Sequence, residues 1–332
     1  MTRTDEAKRD VVPSCPSTPA PLRLVSRWLG RTRLPDAPTA APVAVTATIA
    51  RLQAARQRLE ASGVSERAVS RVMRVLSGLE GRVLEPPRAA MLGEFNAGKS
   101  SLVNLMLGSA LMPADLLTNT HLPMRLAYAP RPLIAAVGSD GQRTTVQPHE
   151  LDTCSIESTE RLDIGLPLET LSECTFIDMP GLNDPNQSGV PIEWAASHSH
   201  MALWCTPAPQ AWKGSELEAW AMLPKRLRSR SLLVVTHADV LHDPNDCAKV
   251  AERLRREAGD LFAGIVLLSV TEAARARDDS GGIADPSLWR TSGGEAFMAA
   301  YRAVLDRVTA ERCEGALRVA YRVAMRAVRH SI

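Results

Sequence analysis

The sequence predicts an α/β fold: a mostly parallel sheet with helices on both faces, flanked by N- and C-terminal helices that form a small bundle. Three observations carry this. Short apolar runs that read as buried strands, at residues 89–92, 124–129, 133–137, 174–177, 201–205, 232–235 and 264–268, are separated further along the chain by helical segments near 192–197, 215–227 and 246–257. Strands connected through helices lie parallel and covered on both faces. Ahead of them, apolar residues from Val45 to Leu79 recur with a helical period. Behind them, residues 286–332 read as one or two helices. The boundaries that follow are a flexible tail (1–42), a helical hairpin (43–86), a nucleotide domain (87–285) and C-terminal helices (286–332).

Taken in order, residues 1–42 are rich in Pro, Ser, Thr and Ala and bury too little to order themselves. Acidic Asp5, Glu6 and Asp10 and the lack of an apolar core segment argue against a signal peptide. Within the tail, residues 21–34 set Arg23, Arg27, Arg31 and Arg33 beside Leu22, Val25, Trp28 and Leu29. That pattern suits a short basic helix on an anionic membrane or partner, although Gly30 and the short length favour a helix packed on the protein's own surface or no fixed structure. Val45, Ile49, Leu52 and Leu59 then share one helical stripe; Gly63 breaks it, Ser65 can cap a second helix, and Val69, Val72, Met73, Leu76 and Leu79 continue at i, i+3, i+4, i+7 until Pro86–Pro87. The cover for these stripes is expected from the C-terminal helices, where Arg318, Arg322, Arg326 and Arg329 oppose Val319, Val323 and Ala327.

The stretch around which the chain is organised is RAAMLGEFNAGKSSLVNLMLG, residues 88–108. It fits G-x-x-x-x-G-K-[ST] at Gly93, Gly98, Lys99 and Ser100, between a buried strand and a helix over 101–107. Such a loop turns tightly so that backbone N–H groups converge on phosphate, and the two glycines permit the turn. Lys99 brings a point charge to the β- and γ-phosphates, Ser100 a hydroxyl for Mg²⁺, and the helix start a partial positive charge. After a polar stretch (109–123), Asp178 ends a hydrophobic strand in D-x-x-G, where it can hold Mg²⁺ and Gly181 can offer its N–H to a γ-phosphate. The strand LLVV then runs into T-H-A-D, in which Asp239 can accept from N1–H and the amine of guanine, a pair adenine lacks. Near Ser269 and Val270 a backbone N–H can meet the guanine O6.

These motifs, in this order at strand ends, resemble the GTPase superfamily and within it the bacterial dynamin-like proteins. The resemblance rests on GEFNAGKSSLVNLMLG, LMPADLLTNTHLP, TFIDMPGLND and ALWCTPAPQAWKGSE, and covers roughly residues 88–271. It implies a dynamin-type G domain over 87–285 that hydrolyses GTP to GDP and phosphate with Mg²⁺. The nucleotide would lie against Gly93, Glu94, Phe95, Asn96, Ala97, Gly98, Lys99, Ser100, Ser101, Asp178, Gly181, Thr236, His237, Asp239, Ser269 and Val270. Mg²⁺ would be served by Ser100, Asp178 and Thr120, with Thr118 competing for the switch position. Lys99, Thr120, Asn96 and Gly181 would form the catalytic set, Asn96 as a ligand of water or of the transition state.

Three departures qualify the resemblance. His237 stands where the family has lysine, whose stem covers the base. Leu182 follows D-x-x-G where Ras-like proteins place a water-orienting glutamine, so hydrolysis is expected to need help from pairing of two G domains. About 60 residues follow Ser269, by subtraction from 332, too few for the long stalk and lipid-binding tip of full dynamin relatives.

The remaining signals bound the class. Six scattered cysteines without paired spacing read as reduced packing residues of a cytoplasmic protein, and no run approaches the length of a membrane span. Peripheral attachment at the inner membrane face is the further expectation. A formal net charge of +2 says little about partners. The basic stripes lack interleaved aromatics, so no specific nucleic acid is expected, against the competing reading of a ribosome- or RNA-associated assembly GTPase. A nucleotide-binding scaffold that does not hydrolyse is the other alternative. His198 and His200 lack a third ligand at useful spacing, and Trp204 and Trp212 read as packing residues.

Overall fold

The computed structural model of the chain describes residues 42–61, 66–108, 122–146, 159–182, 192–241, 243–278 and 281–329. The tail with its basic segment 21–34, Gly63, Ser65, Thr118 and Thr120 lie outside the described residues.

Two helices come first, α1 (Val43–Glu60) and α2 (Glu66–Leu84), and Pro86–Pro87 follow the second at once. A nine-stranded sheet follows: β1 (Arg88–Gly93), β2 (Met124–Tyr128), β3 (Leu133–Gly138), β4 (Arg143–Thr145), β5 (Thr159–Leu166), β6 (Thr175–Asp178), β7 (Met201–Pro207), β8 (Ser231–Thr236) and β9 (Gly264–Leu267). Their spatial order is β4-β3-β5-β2-β6-β1-β7-β8-β9. The half that carries β6, β1, β7, β8 and β9 is parallel throughout. Antiparallel pairs are confined to the other half, at β2–β6, β3–β4 and β3–β5. Beside the sheet lie α3 (Lys99–Leu107), α4 (Glu169–Glu173), α5 (Ile192–His198), α6 (Gly214–Met222), α7 (Lys225–Arg228), α8 (Pro244–Ala258), α9 (Val270–Arg275), α10 (Pro286–Thr291) and α11 (Gly294–Arg329).

Alternation along the strands divides the interior in two. Ala89, Met91, Leu203, Cys205 and Val234 face one core with α3 and the first half of α11, including Phe297, Tyr301 and Val308. Ala90, Leu92, Trp204, Leu233 and Val235 face the other, in which Trp204, Trp212, Trp220 and Phe262 interlock at centroid distances of 4.0 to 6.3 Å. A third core joins the chain's two ends: Leu52, Leu59, Val72, Leu76 and Leu79 of α1 and α2 close over Cys313, Ala316 and Ala320 of α11. Helix α11, 36 residues and about 54 Å long at 1.5 Å per residue, therefore packs its first part on the sheet and its last part in the bundle. Arg318, Arg322 and Arg326 are exposed on it while Val319, Val323 and Ala327 pack inward. No helix among the described residues is long and apolar enough to cross a membrane.

Several details differ from the sequence expectation. Strand β5 was not foreseen. The single helical segment expected over 215–227 is two helices, because Pro224 has no N–H to continue the first, whose last turn closes with Leu223 N–H donating to the Trp220 carbonyl. Helix α3 begins at Lys99 rather than Ser101.

Candidate functional site

Because β6, β1, β7, β8 and β9 are parallel, their C-terminal ends open on one edge, and ligands of such sheets bind there. Gly93 ends β1 at φ +140°, a value side chains rarely adopt, and pairs with Cys205 of β7. Its own carbonyl accepts from Leu182 N–H at 3.0 Å, and the Leu182 carbonyl accepts from Phe95 N–H at 3.1 Å. The D-x-x-G segment is thus laced to the phosphate loop: a Cβ at Gly181 would stand 2.7 Å from Phe95 Cα. Asn96 sits in the left-handed region (φ 58°) and Gly98 (φ 79°) leads into α3 in the same region, so successive amides of the turn converge.

Lys99, 7 % exposed, donates to the carbonyls of Gly93 (3.2 Å) and Glu94 (2.8 Å), which hold its ammonium inside the curve of the loop. Ser100 Oγ donates to Asp178 Oδ2 at 3.2 Å. Asp178 Oδ1 is buried without a hydrogen-bond partner. Burial pushes this carboxyl up to about 6, with Lys99 and the Ser100 hydrogen bond pulling the other way. A hydroxyl beside a buried carboxylate with a spare oxygen, next to an ammonium, is the oxygen donor set a hard cation takes, so the residues present fit Mg²⁺. Ser101, in the same first turn of α3, is exposed.

The T-H-A-D segment meets the loop directly. Thr236 Oγ1 donates to the Ala97 carbonyl at 2.9 Å, and a Cβ on Gly98 would lie 3.4 Å from both Thr236 and the His237 ring. His237 has φ 54° and its Nδ1 is 3.0 Å from Thr236 Oγ1. Ala238 N–H donates to the Leu268 carbonyl, which brings exposed Asp239 beside the end of β9. Of the two residues expected to offer an N–H to O6, Ser269 is already engaged: its N–H donates to the Ser292 carbonyl at 2.8 Å, and its hydroxyl caps α9 by accepting from Glu272 N–H. That leaves Val270.

Sequence reasoning gave no role to a second layer. Glu94 of the loop is gripped by Lys213 Nζ at 2.9 Å and Ser215 Oγ at 2.8 Å. Behind them Glu216, 1 % exposed, accepts from Trp204 Nε1, Thr206 Oγ1 and Lys213 N–H at 2.9 to 3.0 Å. The Thr206 carbonyl in turn accepts from Thr236 Oγ1 at 3.3 Å, so one polar chain ties the start of α6 to the T-H-A-D strand. An acidic residue three positions after the loop-to-helix junction was the available signal.

The other singled-out residues have structural partners. His200 Nδ1 accepts from Arg88 N–H at 3.0 Å, and His198 stacks on Trp194 at 4.0 Å. Trp204 and Trp212 are buried, as are Cys174, Cys205 and Cys313.

Comparison with protein families matches residues 90–238 to the dynamin family. Among curated proteins, the chain is 28% identical over 157 residues to Dynamin-like protein 2 of Campylobacter jejuni, covering 46% of this chain and 26% of that one. It is 31% identical over 113 residues to the isoniazid-induced protein IniC of Mycobacterium tuberculosis, covering 32% and 23%. The chain thus spans about a quarter of the length of these relatives. Among solved structures it is similar to a member of an oligomerised bacterial dynamin pair described as sensing and tethering membranes, with a TM-score of 0.60 at 17% identity over 89% of this chain and 57% of that one. The bacterial dynamin GTPase LeoA follows at a TM-score of 0.50 and 16% identity, over 85% and 47%.

Proposed function

We propose that this chain, whose residues 90–238 match the dynamin family, binds GTP with Mg²⁺ at the C-terminal edge of its sheet and hydrolyses it to GDP and phosphate. The observation that carries the reading is the direct seating of the T-H-A-D segment on the phosphate loop, through Thr236 Oγ1 on the Ala97 carbonyl and His237 against Gly98. One nucleotide can therefore reach both Lys99 and Asp239.

In this reading the loop amides from Glu94 to Ser101 and the Lys99 ammonium take the phosphates, and Gly181 offers its N–H to the third one. Mg²⁺, when bound, neutralises charge on the phosphates, and Ser100, Asp178 and Thr120 would hold it. Asp239 accepts from the guanine edge, His237 covers the base, and the Val270 N–H faces O6. Water attacks the γ-phosphorus in line with the departing GDP oxygen, and Asn96 is our candidate for orienting it. The apolar Leu182 offers no such contact, which supports slow turnover by one chain alone and stimulation when two G domains pair. Phe95, 45 % exposed at the loop, suits that pairing.

The same reading divides the chain into a tail (1–42), a hairpin (43–86), a G domain (87–285) and C-terminal helices (286–332), and the core shared by α1, α2 and α11 is what supports a bundle beside the G domain. Peripheral action in the cytoplasm at the inner membrane face is proposed by analogy with the bacterial dynamin pair. A non-hydrolysing nucleotide scaffold is the second reading, favoured by Leu182 and His237. Phosphate release from Mg-GTP separates the two: wild type should exceed Lys99→Ala clearly, and gel filtration with GDP and aluminium fluoride should yield a dimer. Equal release by both proteins would refute hydrolysis.

A further inference from the structure

At the opposite edge of the sheet, where β1 begins rather than ends, a cleft of about 590 Å³ opens between the sheet and the helical bundle. Arg88 at the start of β1 lies some 16 Å from Gly93, at roughly 3.3 Å per residue, so the cleft is separate from the phosphate loop. One wall is apolar, from Leu79, Val83, Ala316 and Val319. The rest is dominated by guanidinium groups. Four arginines line the cleft (Arg82, Arg88, Arg226 and Arg312) against two glutamates, Glu85 and Glu311.

The glutamates do not balance this charge. Glu311 is drawn to Arg230, a fifth cation beside the cleft, and Glu85 is largely exposed and 3.6 Å from Arg88. Arg312 spends donors on the carbonyls of Arg82 and Glu85 at the end of α2, and Arg88 on the carbonyl of His198. Those acceptors are neutral and leave the positive charges in place. Arg82 and Arg226 are exposed, and neither makes a side-chain ion pair within the described residues. His200 lines the same cleft with Nδ1 accepting from Arg88 N–H, so its remaining hydrogen is on Nε2 and the ring is one more donor. Burial, followed by the charges of Arg312, Arg88, Arg226 and Arg230, pushes this imidazole down to about 3. Like charges crowded round a partly buried ring repel one another, and an anion placed among them relieves that repulsion.

We propose that this cleft is an anion site for a phosphate-bearing ligand, distinct from the nucleotide site, with Arg88, Arg226 and Arg312 as its main donors. Planar guanidinium forks pair with phosphate oxygens two at a time. Arg88 and Arg226 belong to the sheet side, Arg82 and Arg312 to α2 and α11. The occupant therefore braces the bundle against the nucleotide domain at the place where α11 leaves the sheet.

The test uses the full chain with saturating GDP and Mg²⁺, so that the phosphate loop is filled, and inorganic pyrophosphate as the calorimetric titrant. A binding event that persists with GDP present, and is weakened roughly ten-fold by Arg226→Ser as expected for one lost charge-assisted contact, supports the site. Arg82→Ser provides a second variant; both side chains are exposed and make no ion pair among the described residues, so the urea midpoints should match wild type. Sedimentation with phosphatidylglycerol vesicles assigns the source: Arg226-dependent capture means a lipid headgroup, and pyrophosphate binding without capture means a free phosphate compound. Absence of any GDP-insensitive event in both assays, or equal binding by wild type and both variants, overturns the proposal.

Discussion

The two glycines of the phosphate loop are equivalent in the motif and should not be equivalent in energy. At Gly93 an added Cβ would stand 2.2 Å from the Cys205 carbonyl oxygen with φ at +140°; at Gly98 its nearest neighbours are 3.4 Å away with φ at +79°. Normal contact near 3.5 Å would require β7 to retreat by about 1 Å. That strand is hydrogen-bonded on both sides, to β1 and β8, and Trp204, Cys205 and Thr206 are fully buried, so it has no room. Overpacking of this kind costs about 1–3 kcal/mol and the disallowed backbone another ~1–3 kcal/mol, giving ~2–6 kcal/mol for Gly93→Ala. For Gly98→Ala only the positive φ counts, ~1–2 kcal/mol. Urea unfolding followed by tryptophan fluorescence reads this well, since Trp204 adjoins Cys205. With a slope of roughly 1–3 kcal/mol per molar urea, Gly93→Ala should lower the midpoint by about 1 M or more, and by clearly more than Gly98→Ala. Equal midpoints, or a larger loss at Gly98, would refute the packing argument.

Three further outcomes are expected. Asp239→Asn should shift nucleotide preference from GTP toward xanthosine triphosphate in competition binding, because the acceptor proposed for guanine is replaced; unchanged selectivity rejects the guanine assignment. Lys213→Met should change stability by less than ~1 kcal/mol, as for other half-exposed ion pairs, yet slow GTP turnover several-fold by releasing Glu94; full activity in a phosphate-release assay would remove the anchoring role. His200 is held down to about 3, below its ordinary 6.5, so on acidification the unfolded chain takes up this proton first. Its contribution is present above about pH 6.5 and is lost toward pH 3 at about 1.4 kcal/mol per pH unit. His200→Asn keeps an acceptor for Arg88 N–H and should flatten that part of the stability profile, whereas parallel profiles for the two proteins would exclude it.

The phosphate loop, D-x-x-G and T-H-A-D were legible because each is local: a buried strand, then residues whose chemistry needs that strand's end. Their meeting at one edge followed from parallel strands. What stayed hidden depended on distant partners. In β5 the alternation of Leu162, Ile164 and Leu166 was present but diluted by Glu160, Arg161 and Asp163. Asp163 is tolerated in the sheet because Arg125, Arg143 and Arg161 surround it, and two of these come from other strands. The grip of Lys213 and Ser215 on Glu94 spans about 120 residues and leaves no local signature. The sequence left the backbone donor near Ser269 and Val270 open, and the Ser269 N–H goes to Ser292, from the junction of α10 and α11.

The central claim is that one Mg-bound triphosphate reaches from Lys99 to Asp239 and is chosen for its guanine. Calorimetric titration of the full chain with non-hydrolysable GTP and ATP analogues, each with Mg²⁺, tests it most directly. The account predicts saturable binding of the GTP analogue and at least a hundred-fold weaker binding of the ATP analogue, in line with polar sites that lose their partners. Equal affinity for the two, or no binding of the GTP analogue, would contradict it.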